Sequence, residues 1–108
     1  MQRACFTIQI KKDRFEDYLA AHDVWPELLE AMRSAGIRNY SLFHRPDGLV
    51  VGYLEGPDPM ASLAEVARTD VSRRWEEMMA QFMDAAPVEG AGEGDNGEQW
   101  LSEYFHMA

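Results

Sequence analysis

The 108-residue chain has a single cysteine, Cys5, and so cannot close an internal disulfide. A reducing, cytoplasmic setting is therefore expected, because disulfides accumulate in oxidising compartments. Cys5 falls in strand-like alternation and reads as a small buried residue, the usual fate of a free cysteine. Basic residues are scarce and stop early. All ten lie at or before Arg74, against nineteen acids, which gives a formal charge of −9 and a pI near 4.6. Phosphate binding needs clustered Lys and Arg, so nucleic acid is not an expected partner. The acid-only charge after Arg74 also disfavours an anionic membrane surface. No run approaches the ~18 apolar residues that a membrane span needs. The Met-Gln-Arg start leads directly into alternation, with no apolar signal segment expected. A glycine-rich phosphate loop, a nucleophile elbow and paired-cysteine motifs are all missing. The expected partner is a neutral small molecule.

What is present suffices for one domain spanning 1–108, with 46% hydrophobic residues to build a core. A chain this short buries a smaller share of its surface than a larger one, so self-association would help it. Residues 3–11 alternate, with Ala4, Phe6, Ile8 and Ile10 on one side, which predicts a half-buried strand. Asp13 is placed to cap a helix whose apolar face is Phe15, Tyr18, Leu19 and His22. Pro26 interrupts it and suits the first turn of a second helix, carrying Leu28, Leu29, Met32 and Ala35 and stopping at Gly36. Strands over Ile37–His44 and Leu49–Gly56 flank Pro46-Asp47-Gly48, a turn in which proline presets φ and glycine accepts a positive one. A short helix around Ala61–Ala67 follows. Thr69 or Asp70 then caps a further helix, with Val71, Trp75, Met78, Met79, Phe82 and Met83 along its buried side and Pro87 at its end. Residues 88–99 hold four glycines and four acids, a composition expected to form a flexible loop. Trp100–Met107 is apolar enough for a closing strand. The order β-α-β-β-α-β predicts an α+β, ferredoxin-like βαββαβ fold: a four-stranded antiparallel sheet with helices on one face. The uncovered face then calls for a partner, and a homodimer is expected.

The informative stretch is Tyr18-Leu-Ala-Ala-His22-Asp-Val-Trp25-Pro26. Positions i and i+4 lie side by side on a helix, so Tyr18 and His22 point into one space, an arrangement that suits a small polar pocket. An imidazole both gives and takes protons near neutral pH; His22 is either such a group or a histidine at the edge of the core. Tyr18 and Tyr40 either hydrogen-bond a hydroxylated ligand through their phenols or simply pack. Trp25 and Trp75 either form flat walls for a sugar ring or belong to the core. Asn39 adds a polar group on the opposite strand face from Tyr40. Arg74 either pairs with a pocket carboxylate or sits at the surface. Glu76 and Glu77 read as a solvated face. With His44 and His106, His22 lacks zinc-motif spacing, so no metal site is expected.

Taken together, Tyr18-x3-His22, Trp25-Pro26-Glu27-Leu28, Gly36 with Asn39-Tyr40, Thr69-Asp70-Val71 with Arg74-Trp75, and the terminal Glu103-Tyr104-Phe105-His106 resemble the L-rhamnose mutarotase family. The resemblance implies small homodimers of the dimeric α+β-barrel type. It implies interconversion of the α and β anomers of a 6-deoxyhexose such as L-rhamnose, without cofactor or metal. It casts the residue at His22 as proton donor, and those at Tyr18, Tyr40 and the Trp75 pair as sugar contacts. Many members carry a second tryptophan after the first; here that place is Glu76, which the resemblance makes a substrate contact. The rival expectations are a cofactor-free monooxygenase acting on aromatic polyketides, on the same scaffold, and a non-catalytic sugar-binding regulatory module.

Overall fold

The computed structural model describes residues 1–84 and 98–108. Four strands, β1 (Gln2–Gln9), β2 (Arg38–His44), β3 (Leu49–Gly56) and β4 (Gln99–Leu101), form one antiparallel sheet in the order β2-β3-β1-β4. Helices α1 (Phe15–Ala21), α2 (Pro26–Ser34), α3 (Pro59–Ala67) and α4 (Asp70–Met79) complete the α+β fold, with 3-10 turns at Lys12–Arg14 and Ala80–Phe82. The expected ferredoxin-like order is therefore present.

The period-2 pattern decides which sheet face is covered. Pairing sets Ala4 opposite Leu54, Phe6 opposite Gly52 and Ile8 opposite Val50. On this face Phe6, Ile8, Val50 and Leu54 are buried and join Tyr18, Leu28, Ile37, Val66, Trp75 and Met79 in one core. On the other face Cys5 pairs with Tyr53 and Leu101, and Phe43 with Val51. Cys5 is only half-buried, because none of the described helices covers that face. Phe43 is 62% exposed and Leu101 52%.

Several boundaries differ from the sequence reading. Asp13 makes no cap: α1 begins after a 3-10 turn at Arg14, with no side-chain hydrogen bond at its start. Leu19 and Leu29 fall on exposed sides of their short helices. Of the two candidate caps, Thr69 is the one used; its Oγ1 accepts from the Ser72 amide at 3.3 Å. The fourth helix ends at Met79, because the chain then turns to meet β1: the Lys11 amide donates to the Phe82 carbonyl and the Asp84 amide to that of Gln9. Pro87 and the glycine-rich segment as far as Gly97 lie outside the described residues, while Gln99, assigned to that loop, already pairs with Thr7. The closing strand stops at Leu101, and residues 102–108 are exposed, without regular structure. In the hairpin, Gly48 takes φ 91° as the turn requires, and its carbonyl accepts from Ile10 at 2.9 Å.

Candidate functional site

The site begins where α1 fails to continue into α2. Tyr18, 3% exposed, faces the core from α1, and the helix ends one turn later at His22, whose amide still reaches the Leu19 carbonyl. Trp25 is extended (φ −62°, ψ 138°) because Pro26 disfavours helical geometry before it, and Pro26 then serves as first residue of α2. The break leaves the His22 imidazole half-buried at a helix end. Its ring lies 5.4 Å from that of Tyr18 and 5.3 Å from the indole of Trp75, the latter at 90°. Trp75 is buried on α4 and also meets Trp25 edge-on, 5.2 Å between ring centres. Trp75 belongs to the core, as one reading of the tryptophans expects, and it also lines the cavity.

The sheet supplies the floor. A Cβ at Gly52 would collide with the ring of Phe6, so glycine is what lets that ring lie flat across β3. Tyr40 packs edge-on to Phe6 at 6.3 Å, and Trp100 packs at a tilt on the same Phe6 ring at 5.1 Å. The register of β2 against β3 shifts between Arg38 and Ser41, where Asn39 adopts φ 50°. Asn39 Nδ2 donates to Glu55 Oε1 at 2.7 Å on the outer face, and Tyr53 donates to the other Glu55 oxygen. The Tyr53 bond first, then that of Asn39, holds the Glu55 carboxyl below the usual range. Such a bulge re-aims neighbouring side chains, and Tyr40 and Leu42 both face the cavity.

Together these elements line a partly open cavity of about 70 Å³, with Phe6, Tyr18, His22, Tyr40, Trp75 and Glu76 among its walls. Glu98, Met79 and Met83 complete much of the remainder. It adjoins a wider groove of about 630 Å³ that shares His22, Tyr40, Trp75, Glu76 and Glu98 and runs between Leu28 and Met32 of α2 and Leu63 and Val66 of α3. The Tyr18 phenol is pushed up to about 12, by burial first and then by the Glu76 carboxylate. Burial drives the Tyr40 phenol higher still, followed by the charges of Glu98 and Glu76. Both phenols are therefore neutral hydrogen-bonding groups at any ordinary pH. An apolar floor, two neutral phenols, an imidazole and two carboxylates suit a small, uncharged, hydroxyl-rich molecule with one apolar side.

His22, Tyr18, Tyr40, Trp75 and Glu76 all line this cavity, whereas Trp25 and Asn39, also candidates from the sequence, are not among its walls. Glu76 is half-buried there, so the solvated-face reading of its helical position does not hold; Glu77 is exposed. The sequence reading missed Glu98, filed with the loop, and Phe6, filed with the core; only the Phe6–Gly52 pairing, a long-range property, could have revealed the latter. Arg74 stays outside: it pairs at the surface with Asp70 at 3.0 Å and Glu27 at 3.7 Å. His44 packs on Phe15, and His106 lies 4.0 Å from Glu103 in the exposed tail, so the three histidines do not converge. Among the described residues, no group of three or more His, Cys, Asp or Glu could hold a metal ion. Nor is any described helix long and apolar enough to cross a membrane.

Residues 3–107 match the family model described as L-rhamnose mutarotase. The L-rhamnose mutarotase of Lactiplantibacillus plantarum is 33% identical over 109 residues, covering 99% of each chain. Among solved structures, the L-rhamnose mutarotase from Formosa agariphila superposes with a TM-score of 0.76 at 21% identity, covering 100% of both chains. An antibiotic biosynthesis monooxygenase reaches a TM-score of 0.57 at 23% identity, over 78% of this chain and 87% of the other. At such identities the two structures speak for the fold alone.

Proposed function

The chain belongs to the L-rhamnose mutarotase family, and from that membership and the cavity's geometry we propose how its residues carry out the reaction. The activity is that of an isomerase interconverting the α and β anomers of L-rhamnose or a related 6-deoxyhexose. Mutarotation opens the pyranose when the ring oxygen gains a proton and the anomeric hydroxyl loses one; the ring then recloses on the other face. Proton transfer by a positioned group contributes typically 10²–10⁴-fold.

His22 is the general acid that protonates the ring oxygen. Tyr18 and Tyr40, neutral at working pH, orient the sugar's hydroxyls. Trp75 packs against the apolar C5-methyl side, and Glu76 contacts the sugar from the neighbouring wall. The observation that carries this reading is the half-buried imidazole of His22, held between the rings of Tyr18 and Trp75 at 5.4 and 5.3 Å and open to the cavity. A homodimer formed over the open sheet face is part of the same proposal, supported by the exposed Phe43 and Leu101 there. Cytoplasmic residence is supported by the lone Cys5.

Saturation-transfer NMR of anomeric protons, across a panel of sugars with and without protein, tests the reading. Faster exchange for L-rhamnose or another 6-deoxyhexose is expected. Binding without faster exchange would instead mark a sugar-binding module. Oxygen uptake with an aromatic polyketide would mark a monooxygenase.

A further inference from the structure

Ring opening needs an acceptor for the anomeric proton as well as a donor for the ring oxygen, and so far only the donor has a residue. We propose that Glu76 is that acceptor, a second catalytic residue facing His22 across the bound sugar. This rests on the mutarotase reading above.

Three observations converge on Glu76. It lines both the small cavity and the wider groove, as His22 does, so both side chains are presented to a ligand that spans the two. It follows Trp75 directly on α4, whose start is fixed by the Thr69 cap. The indole that stands against His22 therefore belongs to the same rigid element as the carboxylate. Its charge is also felt at two separate walls, by Tyr18 on α1 and Tyr40 on β2. Glu98, the other cavity carboxylate, acts on Tyr40 and is not among the influences on Tyr18. Glu76 also shares a helix with the indole that meets the His22 ring, whereas Glu98 precedes β4 at the edge of the sheet.

The step balances with these two groups alone. The anomeric O–H proton passes to the Glu76 carboxylate as the C1–O1 bond becomes a carbonyl. The C1–O5 bond breaks, and its electron pair takes the proton from the His22 imidazolium. Rotation about C1–C2 presents the other carbonyl face. O5 then attacks C1, returning its proton to His22, while Glu76 returns its proton to O1.

The test uses the full chain and L-rhamnose, with anomer exchange read by NMR as kcat and KM. Glu76→Gln keeps the volume and removes the base; kcat should fall about 10²-fold or more, with KM within a few-fold. Glu76→Ala should regain part of its rate on addition of formate, which supplies a carboxylate in the emptied space. Circular dichroism matching wild type shows that either variant is folded. A Glu76→Gln enzyme with wild-type kcat overturns the proposal, as does a loss expressed in KM alone, or a comparable loss in Glu98→Gln with Glu76→Gln unaffected. Acceleration by the wild type bears on the mutarotase reading, whereas Glu76 is judged from the ratio of variant to wild-type rates.

Discussion

The imidazole of His22 stands edge-on to the indole of Trp75, 5.3 Å between ring centres and 90° between planes. One residue terminates α1 and the other sits mid-way along α4, so the contact ties the imidazole to the core. Trp75 in turn is held by Trp25, the residue that Pro26 forces out of helical geometry. The break between α1 and α2 is thus coupled to the orientation of the proposed acid through a chain of three rings.

Trp75→Phe should keep the fold and weaken the contact with sugar. The core loses part of an aromatic side chain and His22 loses its edge-on neighbour. Truncation to alanine should cost about 3–5 kcal/mol, the range for large aromatic deletions. Chemical denaturation gives the stabilities. For Trp75→Phe, KM for L-rhamnose should rise while the denaturation midpoint moves little. A variant with unchanged KM would remove Trp75 from sugar contact.

His22→Ala should lower anomer exchange by about 10²–10⁴-fold and leave sugar affinity within a few-fold. The imidazole is half-buried at a helix end, so its removal leaves little void. Exchange rates by NMR and affinity by calorimetry separate the two effects. Exchange at wild-type rate would dismiss this residue as the acid.

Much of this was legible in the sequence because the signals were local. Alternation gave β1 its covered face, Pro46-Asp47-Gly48 gave the hairpin, and Pro26 gave the helix break that frees His22. Tyr18 and His22 are one turn apart, so no tertiary information was needed to pair them. The misses are non-local. Glu76 on α4 looks solvated by helical position, and the packing of α1 and the sheet around it makes its surroundings a cavity. Among the described residues, β4 pairs with Cys5, Phe6 and Thr7 of β1, which the composition of Trp100–Met107 does not announce. Residue type alone predicts a buried Cys5, yet its burial depends on what covers the outer face of the sheet.

Gly52→Ala should damage the site and the fold together. The new methyl would occupy the space of the Phe6 ring, which must tilt toward Tyr40 and Trp100. Overpacking of this kind typically costs about 1–3 kcal/mol. A lowered denaturation midpoint and reduced kcat/KM are expected, and Phe6→Leu in the same chain should recover part of the stability. Wild-type stability in Gly52→Ala would show that the Phe6 ring yields freely.

Thr69→Ala removes the Oγ1 that accepts from the Ser72 amide and frees one donor at the start of α4. Losing such a cap costs about 0.5–2 kcal/mol. The variant should unfold at lower denaturant while its kcat, measured well below that transition, stays near wild type. A drop in kcat at full folding would mean that the first turn of α4 sets the position of Trp75 and Glu76 more tightly than a cap alone implies.

Alkaline stability should depend on Tyr18. Its phenol is raised from an ordinary value of 10.0 to about 12, first by burial and then by the Glu76 carboxylate, so the folded state favours the protonated form. The unfolded chain releases that proton near pH 10, whereas the folded chain holds it until about 12. The phenol's contribution is therefore complete below pH 10 and is lost as the pH climbs through that interval. Tyr40 is shifted in the same direction and adds to the same limb. Tyr18→Phe cannot ionise, so its denaturation midpoint should fall less steeply between pH 10 and 12 than that of the wild type. Tyrosinate absorbance followed alongside unfolding should show one fewer late-titrating phenol in the variant. Parallel midpoint curves for the two proteins would mean that this hydroxyl is solvated, and that the cavity wall it forms is wet rather than closed.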